Sequence, residues 1–133
     1  MKKQIKFEGE HLTPDQLPKP AGWRVILAPI VIEETTAGGI VLVKEERDSQ
    51  KHIRFVHKVL AMGPLCYKHD KFKEHPDAQR IEPWCQVGDI ISTGSYTGAT
   101  IPCIDDNGQR FELKIVNDDE ISSVITDPSI LNI

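Results

Sequence analysis

Short runs of β-branched and apolar residues, separated by turn signals at intervals of roughly ten residues, are what most constrain this chain. The runs are Trp23–Ile32, Ile53–Met62, a shorter one closing Val87–Ser92, which reads as a turn followed by a strand, and then Ala99–Ile104 and Phe111–Val116. Each has the length of a strand and none approaches the length needed to span a membrane. Pro29 falls inside the first run, where a strand is expected to bend or break for want of a donor. Gly63-Pro64 ends the second. Asp105-Asp106-Asn107-Gly108 joins the last two, and its Asn-Gly pair predicts a two-residue hairpin turn with positive φ at both positions. Phe111, Leu113 and Ile115 alternate with Glu112 and Lys114, so one face of that strand is expected to be buried. The fold class that fits is all-β, a small barrel or sandwich.

One stretch stands apart. Glu33-Glu34-Thr35-Thr36-Ala37 leads into Gly38-Gly39, then Ile40-Val41-Leu42-Val43, then the charged run Lys44–Asp48. Two glycines make a single rigid conformation costly. Apolar residues set between such a hinge and a charged run suit presentation to another protein. A core strand following a Gly-Gly turn fits the same residues, and both readings stand at this point. A loop of about twenty residues in a compact domain is uncommon, and such loops are usually functional or disordered.

At 133 residues one domain is expected. A formal charge of −4 argues against wholesale nucleic-acid binding. Residues 1–19 are polar and end in Leu17-Pro18-Lys19-Pro20, which predicts an extended arm with a frayed basic tip at Lys2, Lys3 and Lys6. No apolar signal segment opens the chain, and Cys66, Cys85 and Cys103 are odd in number and irregularly spaced. Free thiols in a reducing, cytoplasmic compartment are expected.

The candidate chemistry is thin. Cys66-x2-His69 with His75 and Cys85 loosely resembles a zinc set, but only the first pair is tight, so no metal is expected. Asp105–Gly108 lacks the ligand alternation of a calcium loop. Asn117-Asp118-Asp119-Glu120 fits a solvated cap better than a cation site. Ile121, Val124 and Ile125 after it suit either a helical turn or a terminal strand. No phosphate loop, nucleophile elbow or acid/base pair is present, so an enzyme is not expected.

Taken in order, Pro20-x3-Arg24-Val25-Ile26-Leu27, Glu34-Thr35-Thr36-Ala37-Gly38-Gly39-Ile40-Val41-Leu42, Val59-Leu60-Ala61-Met62-Gly63-Pro64, Val87-Gly88-Asp89-Ile90-Ile91, Tyr96-x-Gly98 and Asn117-Asp118-Asp119-Glu120-Ile121 resemble a co-chaperonin of the GroES type over residues 20–125. The resemblance implies a small irregular β-barrel and a seven-membered ring that caps a GroEL-type chaperonin around an unfolded client. It implies a loop over 33–50 that is mobile in the free protein. Ile40, Val41 and Leu42 would grip the partner, with Gly38 and Gly39 as the hinge that lets the loop fold into a hairpin. It implies subunits joined by the opening strand of one (Trp23, Val25, Leu27) and the closing strand of the next (Ile121, Val124, Ile125). No cofactor is implied, because the partner binds the ATP.

Three segments depart from the common pattern: the arm 1–19, an enlarged roof segment over 65–84, and the tail 126–133. Gly63-Pro64-Leu65-Cys66-Tyr67-Lys68 with the later Trp84-Cys85 looks like bacteriophage-encoded variants. The compartment would then be the host cytoplasm. A structural or decoration protein of a phage particle, built on the same fold, is the alternative.

Overall fold

The computed structural model describes residues 2–35, 41–43, 55–69, 72, 83–94 and 97–131. They form strands β1 (Lys2–Phe7), β2 (Arg24–Thr35), β3 (Val41–Val43), β4 (Val56–Met62), β5 (Ile90–Thr93), β6 (Ala99–Ile104), β7 (Arg110–Asn117) and β8 (Ile121–Val124). Single 3-10 turns occupy Asp118–Glu120 and Pro128–Ile130, and the described residues contain no α-helix. The fold is all-β, as the turn spacing predicts. Every pairing is antiparallel. The main order is β6-β7-β2-β4-β5-β8, with β1 and β3 flanking the far half of β2. Among the described residues β6 and β8 do not pair, so the sheet curls without closing.

β2 organises the molecule. Its near half pairs with β7 from Arg24 to Leu27 and with β4 from Val25 to Pro29. Val25, Ile26, Leu27 and Ala28 are all buried, which is why this stretch reads as a continuous apolar run rather than an alternating one. Val25 and Leu27 enter one cluster with Val59, Ile91, Val116 and Ile121. Ala28 and Ile30 enter a second with Phe7 and Val56. Each fully buried Val, Leu or Ile contributes about 1.5–3 kcal/mol.

The strand runs straight through Pro29, and its irregularity lies earlier, between Ile26 and Leu27 in the pairing with β4. Proline is tolerated because of a change of partner. The Pro29 carbonyl accepts from the Glu8 N–H at 2.9 Å, so the missing N–H faces the same edge, where β7 has ended and β1 has begun.

The N-terminal arm differs from the expected strap. Lys2–Phe7 pairs with Ile30–Thr35 of β2, and Phe7 is buried. Residues 8–11 then cross β7: the Glu112 N–H donates to the Glu8 carboxylate at 3.2 Å, and His11 packs edge-on to Phe111 at 5.5 Å. Cover from this arm, absent from the sequence reading, is one reason the predicted one-sided alternation of β7 fails, since Leu113, Lys114 and Val116 are all buried.

The β6–β7 hairpin also differs in its turn. Only Gly108 has positive φ (80°), and Asn107 does not. The Gly108 N–H reaches the Asp105 carbonyl, and the Asp105 N–H reaches the Gln109 carbonyl. That is a type I turn followed by a left-handed glycine, a three-residue loop. The Asp105 carboxylate selects it by accepting from the N–H groups of Asn107 and Gln109 at 2.9 and 2.8 Å.

Candidate functional site

Beyond Pro29, β2 outruns both of its main-sheet neighbours. Its last residues are held by β1 on one edge and β3 on the other, with Thr35 opposite Lys2 and Val41, Glu34 opposite Lys3 and Leu42, and Glu33 opposite Gln4 and Val43. The arms of the 33–50 loop are thus paired as a hairpin within the chain alone, over residues 33–35 and 41–43. Val41 and Leu42 stand in β3. Gly38, Gly39 and Ile40 lie outside the described residues, as does Lys44–Asp48.

The residues expected at a subunit contact divide. Val25 and Leu27 are fully buried, in a strand paired along both edges over residues 25–27, so they belong to the core of the subunit. Ile121 is buried in the same cluster. Ile125 packs against the second cluster. Trp23 and Val124 are exposed. Trp23 meets His69 edge-on at 6.3 Å beside a small cavity of about 150 Å³ that Asn117, Asp118 and Asp119 also line.

The acidic run after β7 is a solvated cap only in part: Glu120 accepts from the Asn117 N–H at 2.8 Å and Asp119 is exposed, but Asp118 departs from the expectation. Asp118 is buried and ties three segments together. Its N–H donates to the Trp23 carbonyl at 2.9 Å. Its carboxylate accepts from the Tyr67 N–H, and its carbonyl accepts from the Tyr67 hydroxyl, both at 2.8 Å. Gly63 lets the chain reach this junction. Its N–H donates to the Arg24 carbonyl, and a Cβ there would collide with the Gly22 carbonyl. Gly98 is required for a similar reason, having φ of 78° and lying against the Ile115 carbonyl. Gly63-Pro64 and the acidic run were the available signals, but neither reveals a partner distant in sequence.

The root of the 65–84 segment is an aromatic and thiol cluster. Tyr67, Phe72 and Trp84 pack with centroids 5.0–5.5 Å apart. All three cysteines are free thiols, and Cys66 and Cys85 are buried. Burial pushes the Cys66 thiol up to about 11 and raises Cys85 and Tyr67 as well, so these groups stay protonated near neutral pH. Residues 70, 71 and 73–82 lie outside the described residues, and so does His75 of the loose zinc set. Among the described residues no group of three or more His, Cys, Asp or Glu is placed to hold a metal, and no helix is long and apolar enough to cross a membrane.

Curated proteins resemble this chain over most of its length. Co-chaperonin GroES 1 of Rhodopirellula baltica is 35% identical over 107 residues, covering 80% of this chain and 90% of the relative. Co-chaperonin GroES of Legionella micdadei is 31% identical, covering 80% and 95%. That of Staphylococcus carnosus is 24% identical, covering 80% and 97%. No protein-family model matches the chain. The relatives' names lend no support to the phage-particle reading.

Proposed function

The chain belongs to the family of GroES co-chaperonins, and from that premise we propose that it caps a GroEL-type chaperonin ring through the 33–50 loop, closing a chamber around a folding client. The observation that supports this reading is the projecting hairpin, in which β3 carries Val41 and Leu42 past the end of the main sheet. Ile40, Val41 and Leu42 make the contact, and Gly38-Gly39 supplies the turn. The chain acts as a seven-membered ring in the cytoplasm, without catalytic site or cofactor. ATP is bound and hydrolysed by the partner.

The energetics suit a lid that must come off. Burying each of the three apolar side chains contributes about 1.5–3 kcal/mol. Ordering loop backbone opposes this by about 1–2 kcal/mol per residue fixed. One loop therefore binds weakly. Several loops on one ring gain avidity of about 10²–10⁴ without any new contact.

Val41→Asp tests the reading. It puts an unpaired charge where an apolar groove must close, at a position beyond the main sheet. ATP-dependent refolding of a client by chaperonin plus this variant should fall to the level without co-chaperonin, while the native mass of the assembly stays that of the wild type. Refolding at the wild-type level would show that the loop is not the contact.

A further inference from the structure

We propose that β1 is a positioning strand for the partner-binding loop: it fixes the register of the far half of β2 and so holds the Val41–Val43 arm ready before any partner arrives. The inference rests on the reading that this loop is the chaperonin contact. Past Pro29, β4 no longer pairs with β2, and β7 has already ended at Leu27. Without β1, residues Ile30–Thr35 would keep only the three pairs that β3 makes with Glu33, Glu34 and Thr35. A two-stranded hairpin standing alone is marginal in water, whereas a third strand makes it persist. β1 supplies that strand along six residues, from Lys2 opposite Thr35 to Phe7 opposite Ile30.

β1 is itself locked from its C-terminal end. Phe7 is buried in the second core cluster with Ala28, Ile30 and Val56. Glu8 donates its N–H to Pro29 and accepts from the Glu112 N–H. Gly9 sits so close to Leu113 that any side chain there would have to displace it. The Glu10 carboxylate pairs with the Lys58 ammonium at 2.9 Å. A slip of β1 by one residue would turn Phe7 out of the core, so register is fixed here and transmitted along β2 to the residues facing Val41, Leu42 and Val43. Holding those arms in place removes part of the ordering cost from each binding event, which raises affinity without a new contact.

The test weakens the pairing while leaving the anchor. The Glu8 N–H faces β2, and strand alternation points the N–H groups of Lys6 and Gln4 the same way. The double substitution Gln4→Pro/Lys6→Pro removes both donors and keeps the full chain with Phe7 through Glu10. Gln4→Val/Lys6→Val, which keeps the backbone donors, is the control. Amide exchange at 31–35 and 41–43 should accelerate by about tenfold or more in the proline variant alone. The concentration needed for half-maximal capping of an ATP-loaded chaperonin should rise by about tenfold with it. Melting temperature and native mass should match the control. Unchanged exchange or unchanged capping would overturn the proposal, as would equal losses in the valine control. Val41→Asp in the full chain separates the two readings: if it still caps, the loop reading fails. If the proline variant then still loses affinity, β1 is itself a contact and not a positioning strand.

Discussion

Tyr67 adopts φ of 62°, the one non-glycine residue among those described with positive φ. A left-handed backbone costs a residue with a Cβ about 1–2 kcal/mol. Two hydrogen bonds to Asp118, ring packing on Phe72 and Trp84, and a buried side chain over-determine the conformation and offset that cost. The same enclosure fixes the protonation of the thiol beside it. Burial raises Cys66 from its ordinary 9.0 to about 11. Above pH 9 the unfolded chain sheds this proton while the folded chain keeps it, so stability is intact below pH 9 and lost between about 9 and 11. The raised Tyr67 and Cys85 act with the same sign. Cys66→Ala should therefore lose less stability than wild type between about pH 8 and about pH 11, whatever its stability at neutral pH. Urea midpoints at the two pH values check this, and equal losses in both proteins would contradict it.

At the scale of elements, tight junctions and open turns make different demands on glycine. At Gly108 a Cβ would meet nothing, so Gly108→Ala costs only the left-handed strain, about 1–2 kcal/mol. At Gly63 a Cβ would strike the Gly22 carbonyl, and relief requires parting the chain at Gly22–Arg24 from the chain at Gly63–Leu65. Gly63→Ala should lower the urea midpoint well beyond Gly108→Ala, and similar midpoints would show that the two segments move apart easily. Much of this layer was legible in the sequence. β6 occupies the residues that its apolar run and the flanking turn signals mark, and β2, β4, β5 and β7 differ from their expected ranges by a few residues at the ends. β1 was not legible, because Lys2, Lys3 and Lys6 look solvated when the strand beside them is unknown. The arm's role depends on β2 continuing through Pro29, which local chain chemistry argues against and only the exchange of partners allows. Asp118 was hidden for the same reason, since its partners lie 51 residues upstream at Tyr67 and far away again at Trp23.

At the scale of the whole molecule, the strand edges left unpaired decide where a neighbouring subunit could add a strand. β2 has no free edge over residues 25–27, so it cannot receive a neighbour's closing strand there. The order of the main sheet ends at β6 and β8, and each leaves one edge unpaired among the described residues. Pro102 sits within β6, where a missing donor discourages further pairing along that edge. β8 carries no proline. The Ile125 N–H donates inward to the Ile90 carbonyl, so the Val124 N–H points outward, on a residue whose side chain is exposed. If the proposed ring closes by strand pairing at an end of the main sheet, β8 is the edge better suited to it than β6. Cutting away residues 121–133 is a poor test, because Ile121, Ile125 and Leu131 also pack in the two core clusters. Val124→Asp is the cleaner one. It adds a charge at an exposed edge position, where effects on subunit stability are usually within about 0.5 kcal/mol, yet that charge has no partner once a neighbour covers it. The variant should melt as a folded subunit but sediment as a monomer at concentrations where the wild type sediments as a ring. A ring that survives Val124→Asp would move the contact to β6 or to the 65–84 segment.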